Sequence, residues 1–224
     1  VRMQFHVLGP IGVVADDGRT VTLASAAQRR LMAMLILRAG TTVSADYLGE
    51  YLGLSPGALR TAVSRLRRVI GLDRVVTVPP GYLVRAERVD ARSFEESVRS
   101  VRSATSDVAI PVLERALQMW HGAAYEEFAD EEWAVTEANR LVELKCAATE
   151  DLAEHHLAAG DHDRAIQQLV ELVGEHPLRD RPRGQLMRAY AGAGRQAEAL
   201  RAFREYRSYL LAEIGSEPSA SVVA

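Results

Sequence analysis

The sequence predicts a mainly α-helical protein. An N-terminal winged helix-turn-helix with a small β-sheet and a wing hairpin is followed by an all-α, tetratricopeptide-like repeat domain. Three observations predict it. The signals in residues 1–90 run sheet, three helices, hairpin. A 34-residue period relates two stretches near the C-terminus. Charge divides between the same two parts: residues 1–88 carry 12 Arg against 6 acids (+6), and residues 89–224 carry 15 Lys and Arg against 24 acids (−9). The net charge of −3 is therefore a cancellation. The expected domains are 1–90, basic, and 91–224, acidic, with different partners.

The elements follow in order. RMQFHVL (residues 2–8) alternates and stops at Gly9-Pro10, which reads as a strand. Asp17-Gly18 lies between the β-prone runs Val13-Val14-Ala15 and Val21-Thr22-Leu23, a hairpin signal. Residues 26–39 change to helical spacing, with Leu31, Met34, Leu35 and Leu37 as the apolar stripe and Gly40 behind them. Ser44 caps a second helix with Tyr47, Leu48, Tyr51 and Leu52 facing inward. Ser55-Pro56 places a cap and a proline at the start of a third helix, which ends at Gly71. Residues 75–78, Pro79-Pro80-Gly81 and residues 82–84 then spell strand, turn, strand. This is the element order of a winged helix.

On the third helix, at ~100° per residue, Leu59, Val63, Leu66 and Ile70 share a narrow arc. The other side carries Arg60, Thr61, Ser64, Arg65, Arg67 and Arg68 and no acid. A merely solvated helix mixes both signs. An acid-free arginine and hydroxyl face suits the DNA major groove, where Arg pairs bidentately with guanine and Arg, Ser and Thr grip phosphates. The competing reading is an arginine-rich surface set by genome composition, since Lys145 is the only lysine. Acids avoid this face yet abound downstream, which favours DNA.

The second half reads as helices over 91–103, 107–121 and roughly 130–159, with Pro111 marking the true start of the second. Glu126, Glu127, Asp130, Glu131 and Glu132 precede the long helix, where acids favour the helix macrodipole. Gly160 recurs as Gly194, Ala165 as Ala199, Ile166 as Leu200, Leu169 as Phe203 and Leu172 as Tyr206, all at an offset of 34. That period is the tetratricopeptide signature. Pro177 matches the terminal proline of such a repeat, and further degenerate units are expected within 91–159.

No run reaches the ~20 apolar residues of a membrane helix, and the N-terminus lacks the apolar region of a secretory signal. The single Cys146 excludes an intrachain disulfide and a thiolate zinc cluster, and reads as a buried apolar residue in a reducing, cytoplasmic setting. No phosphate-cradling glycine loop is present. His155, His156 and His162 lack metal-ligand spacing. No metal, cofactor or catalytic site is expected.

The stretches ASAAQRRLMAMLILRAGTTVSADYL, TAVSRLRRVIG and VVTVPPGYLVR resemble the OmpR-type winged helix of the Streptomyces antibiotic regulatory protein (SARP) family. Residues from VDARSFEESV to EIGSEPSA are similar to that family's bacterial transcriptional activation domain. The resemblance implies a transcription activator that binds tandem direct repeats of double-stranded DNA near promoters as a homodimer and recruits RNA polymerase. It also implies site roles. Arg60, Thr61, Ser64, Arg65 and Arg68 face the groove, and Arg67 points sideways toward a phosphate. Arg74, Tyr82 and Arg85 of the wing approach the minor groove or backbone. Thr41, Thr42 and Ser44 donate to phosphate from the second helix's N-terminus. Two departures stand out. The loop Leu52–Pro56 is short and lacks the family's Trp, and the chain ends at Ser221–Ala224 where relatives continue, as expected of a fragment of a longer regulator.

Two other readings compete. One is a protein-interaction adaptor whose acidic repeats bind a regulatory partner. The other is a repressor using the same DNA-binding face.

Overall fold

The computed structural model describes residues 2–219 and 222; Ser221, Val223 and Ala224, on which the expected truncation rests, lie outside the described residues. Strand β1 (Met3–His6) pairs antiparallel with β2 (Gly12–Ala15) and parallel with β6 (Arg88–Val89). The Asp17-Gly18 turn forms as expected: Gly18 N–H donates to the Ala15 carbonyl at 2.8 Å. Its second arm shrinks to one bridge, Val14 to Thr20.

Helix α1 (Ala26–Leu37) is capped by Ser25, whose hydroxyl accepts from Gln28 N–H. The expected stripe is wider in the fold, because every residue from Leu31 to Ile36 is buried. A helix apolar all round belongs inside. Helices α2 (Ala45–Leu52) and α3 (Pro56–Ile70) and the wing strand β5 (Gly81–Val84) all pack on α1. The second sheet runs β3 (Val43–Ser44), β5, β4 (Val75–Val78).

The C-terminal part contains α4 (Asp90–Ser100), α5 (Ser106–Leu117), a short 3-10 turn (Glu126–Phe128), α6 (Glu132–Ala158), α7 (His162–Glu175), α8 (Asp180–Gly192) and α9 (Gln196–Ile214). Pro111 lies inside α5 rather than opening it, contrary to expectation. Among the described residues no helix is long and apolar enough to cross a membrane.

Packing divides the chain into two compact units that cut across the expected division at residue 90. The first is residues 1–96 with 118–142, and the second is 97–117 with 143–224. In the first unit the acidic cluster does more than cap a helix. Glu127 pairs with Arg29 and Glu131 with Arg30, both on α1. Beside them Tyr125, Phe128 and Trp133 are buried, with the Trp133 ring 5.3 Å from Phe128.

In the second unit, Ala153, Ala165, Leu169, Leu186 and Ala189 form an apolar core. A polar seam joins α6 to the region of α8: Glu150, almost fully buried, receives Arg179 at 2.8 Å, and Glu154 receives Arg188 at 2.6 Å. The 34-residue register is visible in the backbone. Gly160 (φ +78°) and Gly194 (φ +75°) make the same left-handed turn between helices, a conformation that favours glycine. Burial does not repeat as faithfully: Ile166 is 8% exposed but its counterpart Leu200 is 57% exposed. α9 is the last described helix of the array.

Candidate nucleic-acid interface

Helix α3 supplies the principal face. Ser55 opens it by accepting from Ala58 N–H, and Pro56 occupies the first turn. Leu59, Val63, Leu66 and Ile70 are buried. Arg60, Thr61, Ser64, Arg65 and Arg68 are all exposed. The angular count from sequence thus matches the burial of every one of these nine residues. The Thr61 hydroxyl donates to the Gly57 carbonyl at 3.1 Å, leaving its oxygen as an acceptor toward solvent. An α-helix of ~10–12 Å diameter matches the ~12 Å width of the B-DNA major groove.

Two acids on α2 border the acid-free face. A shallow depression of about 270 Å³ between α2 and α3 is lined by Asp46, Glu50, Leu54 and Arg60 among others. The two acids lie beside the start of the arginine face, and sequence periodicity gave no sign of them because they come from a different helix.

Arg67 departs from expectation. It is half-buried, its Nε donates to the Val75 carbonyl at 2.7 Å, and its Nη2 donates to the Thr77 hydroxyl at 2.8 Å. Its donors are directed at strand β4 rather than sideways into solvent.

The wing is corrected as well. Strands β4 and β5 meet at Pro79-Pro80, joined by a cis peptide, so the tip carries no charge. Arg74 and Arg85 flank the base of the hairpin, where Arg85 N–H donates to the Arg74 carbonyl at 2.8 Å. Arg85 is exposed and Arg74 is half-buried. Tyr82 is only 8% exposed and packs within the sheet opposite Val43 and Thr77, so it does not stand on the wing's outer surface. Thr77, exposed on β4, is the wing side chain that sequence reasoning passed over.

The start of α2 is less open to phosphate than expected. Ser44 accepts from Tyr47 N–H at 3.1 Å, Ala45 N–H donates to the Pro80 carbonyl at 3.1 Å, and the first turn carries Asp46. Two of the N–H groups that would meet a phosphate are therefore already paired. The Thr41 hydroxyl donates to the Arg38 carbonyl, and Thr42 is half-buried. Among the described residues no group of three or more His, Cys, Asp or Glu could hold a metal ion.

Comparison with known proteins agrees with the architecture. The family model described as "Bacterial transcriptional activator domain" matches residues 89–224. The chain is 36% identical to Regulatory protein AfsR of Streptomyces coelicolor, over 96% of this chain and 23% of that protein. It is 30% identical to Regulatory protein DnrI of Streptomyces peucetius, over 97% of this chain and 88% of that one. The chain thus spans less than a quarter of the AfsR proteins it matches. Among solved structures, Mycobacterium tuberculosis EmbR in complex with a low affinity phosphopeptide superposes with a TM-score of 0.89 at 28% identity. That match covers 99% of this chain and 63% of EmbR.

Proposed function

Because the chain belongs to the Streptomyces antibiotic regulatory protein family, with a bacterial transcriptional activator domain over residues 89–224, we propose that it is a sequence-specific DNA-binding transcription activator. The observation that carries this reading is the outer face of α3: Arg60, Thr61, Ser64, Arg65 and Arg68 exposed together, opposite a fully buried apolar stripe. The guanidinium groups supply both guanine recognition and phosphate neutralisation. Arg85 at the wing's base adds a backbone contact.

The finer reading is a homodimer on tandem direct repeats that recruits RNA polymerase to a biosynthetic gene cluster. Residues 1–90 supply DNA binding and residues 91–224 supply the protein contact. The acidic surface of the second part is kept off DNA by like charge. Selection of bound sequences from a random DNA pool tests the core of the proposal, followed by transcription with purified polymerase. Recovery of a repeated motif with half-site centres about 10–11 bp apart, and increased transcript from it, is the expected result. A 5 bp insertion between half-sites abolishes cooperative binding under this reading. A pool that stays random contradicts it.

A second reading, an adaptor for a regulatory protein, draws on the exposed Leu200, Leu211 and Ile214 of α9. These share one helical stripe by their spacing of 11 and 3 residues. It predicts no enrichment from the DNA pool.

A further inference from the structure

The geometry points to Arg67 as a positioning residue that locks the wing to the recognition helix, an inference that rests on the DNA-binding reading above. Arg67 sits in the last turn of α3. Only the four-residue segment 71–74 separates α3 from β4, but that segment holds Gly71 (φ +108°) and Leu72, which is 76% exposed. Burial of Val75 anchors the first residue of β4. The rest of the wing projects from that anchor toward Pro79-Pro80, and its angle to α3 needs a second fixed point.

Arg67 provides that point. One planar guanidinium reaches two acceptors two residues apart on the strand: Nε to the Val75 carbonyl and Nη2 to the Thr77 hydroxyl. Two parallel donors from a rigid fork fix an orientation, which one bond cannot do. The opposite side of the wing is tied to α2 by Ala45 N–H donating to the Pro80 carbonyl. The wing is thereby held at both its middle and its tip, so that its backbone meets the DNA at a set distance from the α3 side chains. A guanidinium spent on these bonds contributes through placement, not through charge on a phosphate.

The competing role, a direct phosphate contact, makes opposite predictions for measurable quantities. A residue that neutralises a phosphate contributes about 0.9 to the slope of log affinity against log salt. A positioning residue leaves that slope unchanged while lowering affinity, here by roughly tenfold for the loss of two charge-assisted bonds.

The test uses the full chain and four variants: Arg67→Ala, Arg67→Lys, Thr77→Val and the double variant Arg67→Ala/Thr77→Val. Amide hydrogen exchange on the free protein is expected to quicken by roughly tenfold at residues 76–84 in Arg67→Ala, with the first two turns of α3 unchanged. Arg67→Lys keeps the charge but reaches one acceptor, so it is expected to rescue little. On DNA recovered by selection, Arg67→Ala is expected to bind more weakly with the wild-type salt slope and base preference. Thr77→Val is expected to be non-additive with it. Unaltered wing exchange, or a slope reduced by about one unit, or full rescue by lysine, overturns the inference. If the wild-type chain itself binds no DNA, the functional reading fails, and the exchange experiment on the free protein alone decides the coupling.

Discussion

Both carboxylate oxygens of Asp90 accept a hydrogen bond from the backbone N–H of Val7, at 2.9 and 3.0 Å. One of them also accepts from Leu8 N–H at 3.2 Å. Asp90 is 2% exposed and is the first residue of α4. The end of the N-terminal sheet and the start of the helical part are therefore closed on one buried carboxylate, within a single packing unit. Ala91 N–H donates to the same carboxylate at 2.7 Å, so replacing Asp90 with Ala leaves three buried N–H groups unpaired, at a cost of about 3–6 kcal/mol. A clear drop in the urea midpoint is expected, with Asp90→Asn intermediate because it retains one acceptor oxygen. A midpoint equal to that of the wild type in Asp90→Ala contradicts this role.

Gly81 pairs with Ser44 on one side and Val78 on the other. A Cβ at this position would lie 1.8 Å from the Val43 carbonyl oxygen. No side-chain adjustment relieves a clash with backbone, so Gly81→Ala must separate β3 from β5. The expected outcome is destabilisation by several kcal/mol, in the range of overpacked cores, with loss of the β3 amide protection by hydrogen exchange. Retained protection at Val43 and Ser44 would show that the close approach is not required.

His156 is 1% exposed on α6, and neither ring nitrogen has a hydrogen-bond partner among the described residues. Burial holds its pKa below the ordinary 6.5. Asp161 and Glu114 oppose that shift from 3.9 and 3.8 Å, while Arg164 on α7 and neighbouring His155 add to it. The fold therefore favours the neutral ring. The corresponding stability is complete above about pH 6.5 and shrinks as the pH falls below it, because the unfolded chain takes up a proton that the folded chain resists. The urea midpoint is expected to fall between pH 7.5 and pH 5.5, and to fall less in His156→Phe. Equal losses in the two proteins would remove His156 as the cause.

Local chemistry made much of the fold legible. Ser44 and Ser55 cap the two helices they were expected to cap, because capping depends only on residues within one turn. The exposed face of α3 follows from 3.6-residue periodicity alone. The 34-residue period located the turns at Gly160 and Gly194 for the same reason. What escaped depends on partners that lie on other elements. Arg67 was aimed at solvent by its angle, but its acceptors lie on β4, and Tyr82 read as a wing residue until β3 and β4 closed around it. Glu127 and Glu131 satisfied a helix-dipole argument locally, yet they pair with Arg29 and Arg30 about a hundred positions earlier. The parallel pairing of β1 with β6 spans more than 80 residues and carries no local signal.

The salt dependence of binding reads most directly whether the α3 face meets DNA. Affinity for a selected operator is to be measured from low to moderate salt with the wild-type chain and with Arg65→Ala. Several arginine–phosphate contacts predict a steep linear fall of log affinity with log salt, about 0.9 per phosphate neutralised. Arg65→Ala is expected to weaken binding by about 1–3 kcal/mol with preference lost at particular bases if Arg65 reads a guanine, or uniformly with a slope smaller by about one if it grips a phosphate. Affinity that ignores salt, or an Arg65→Ala chain that binds like the wild type, would contradict a DNA-binding role for the α3 face.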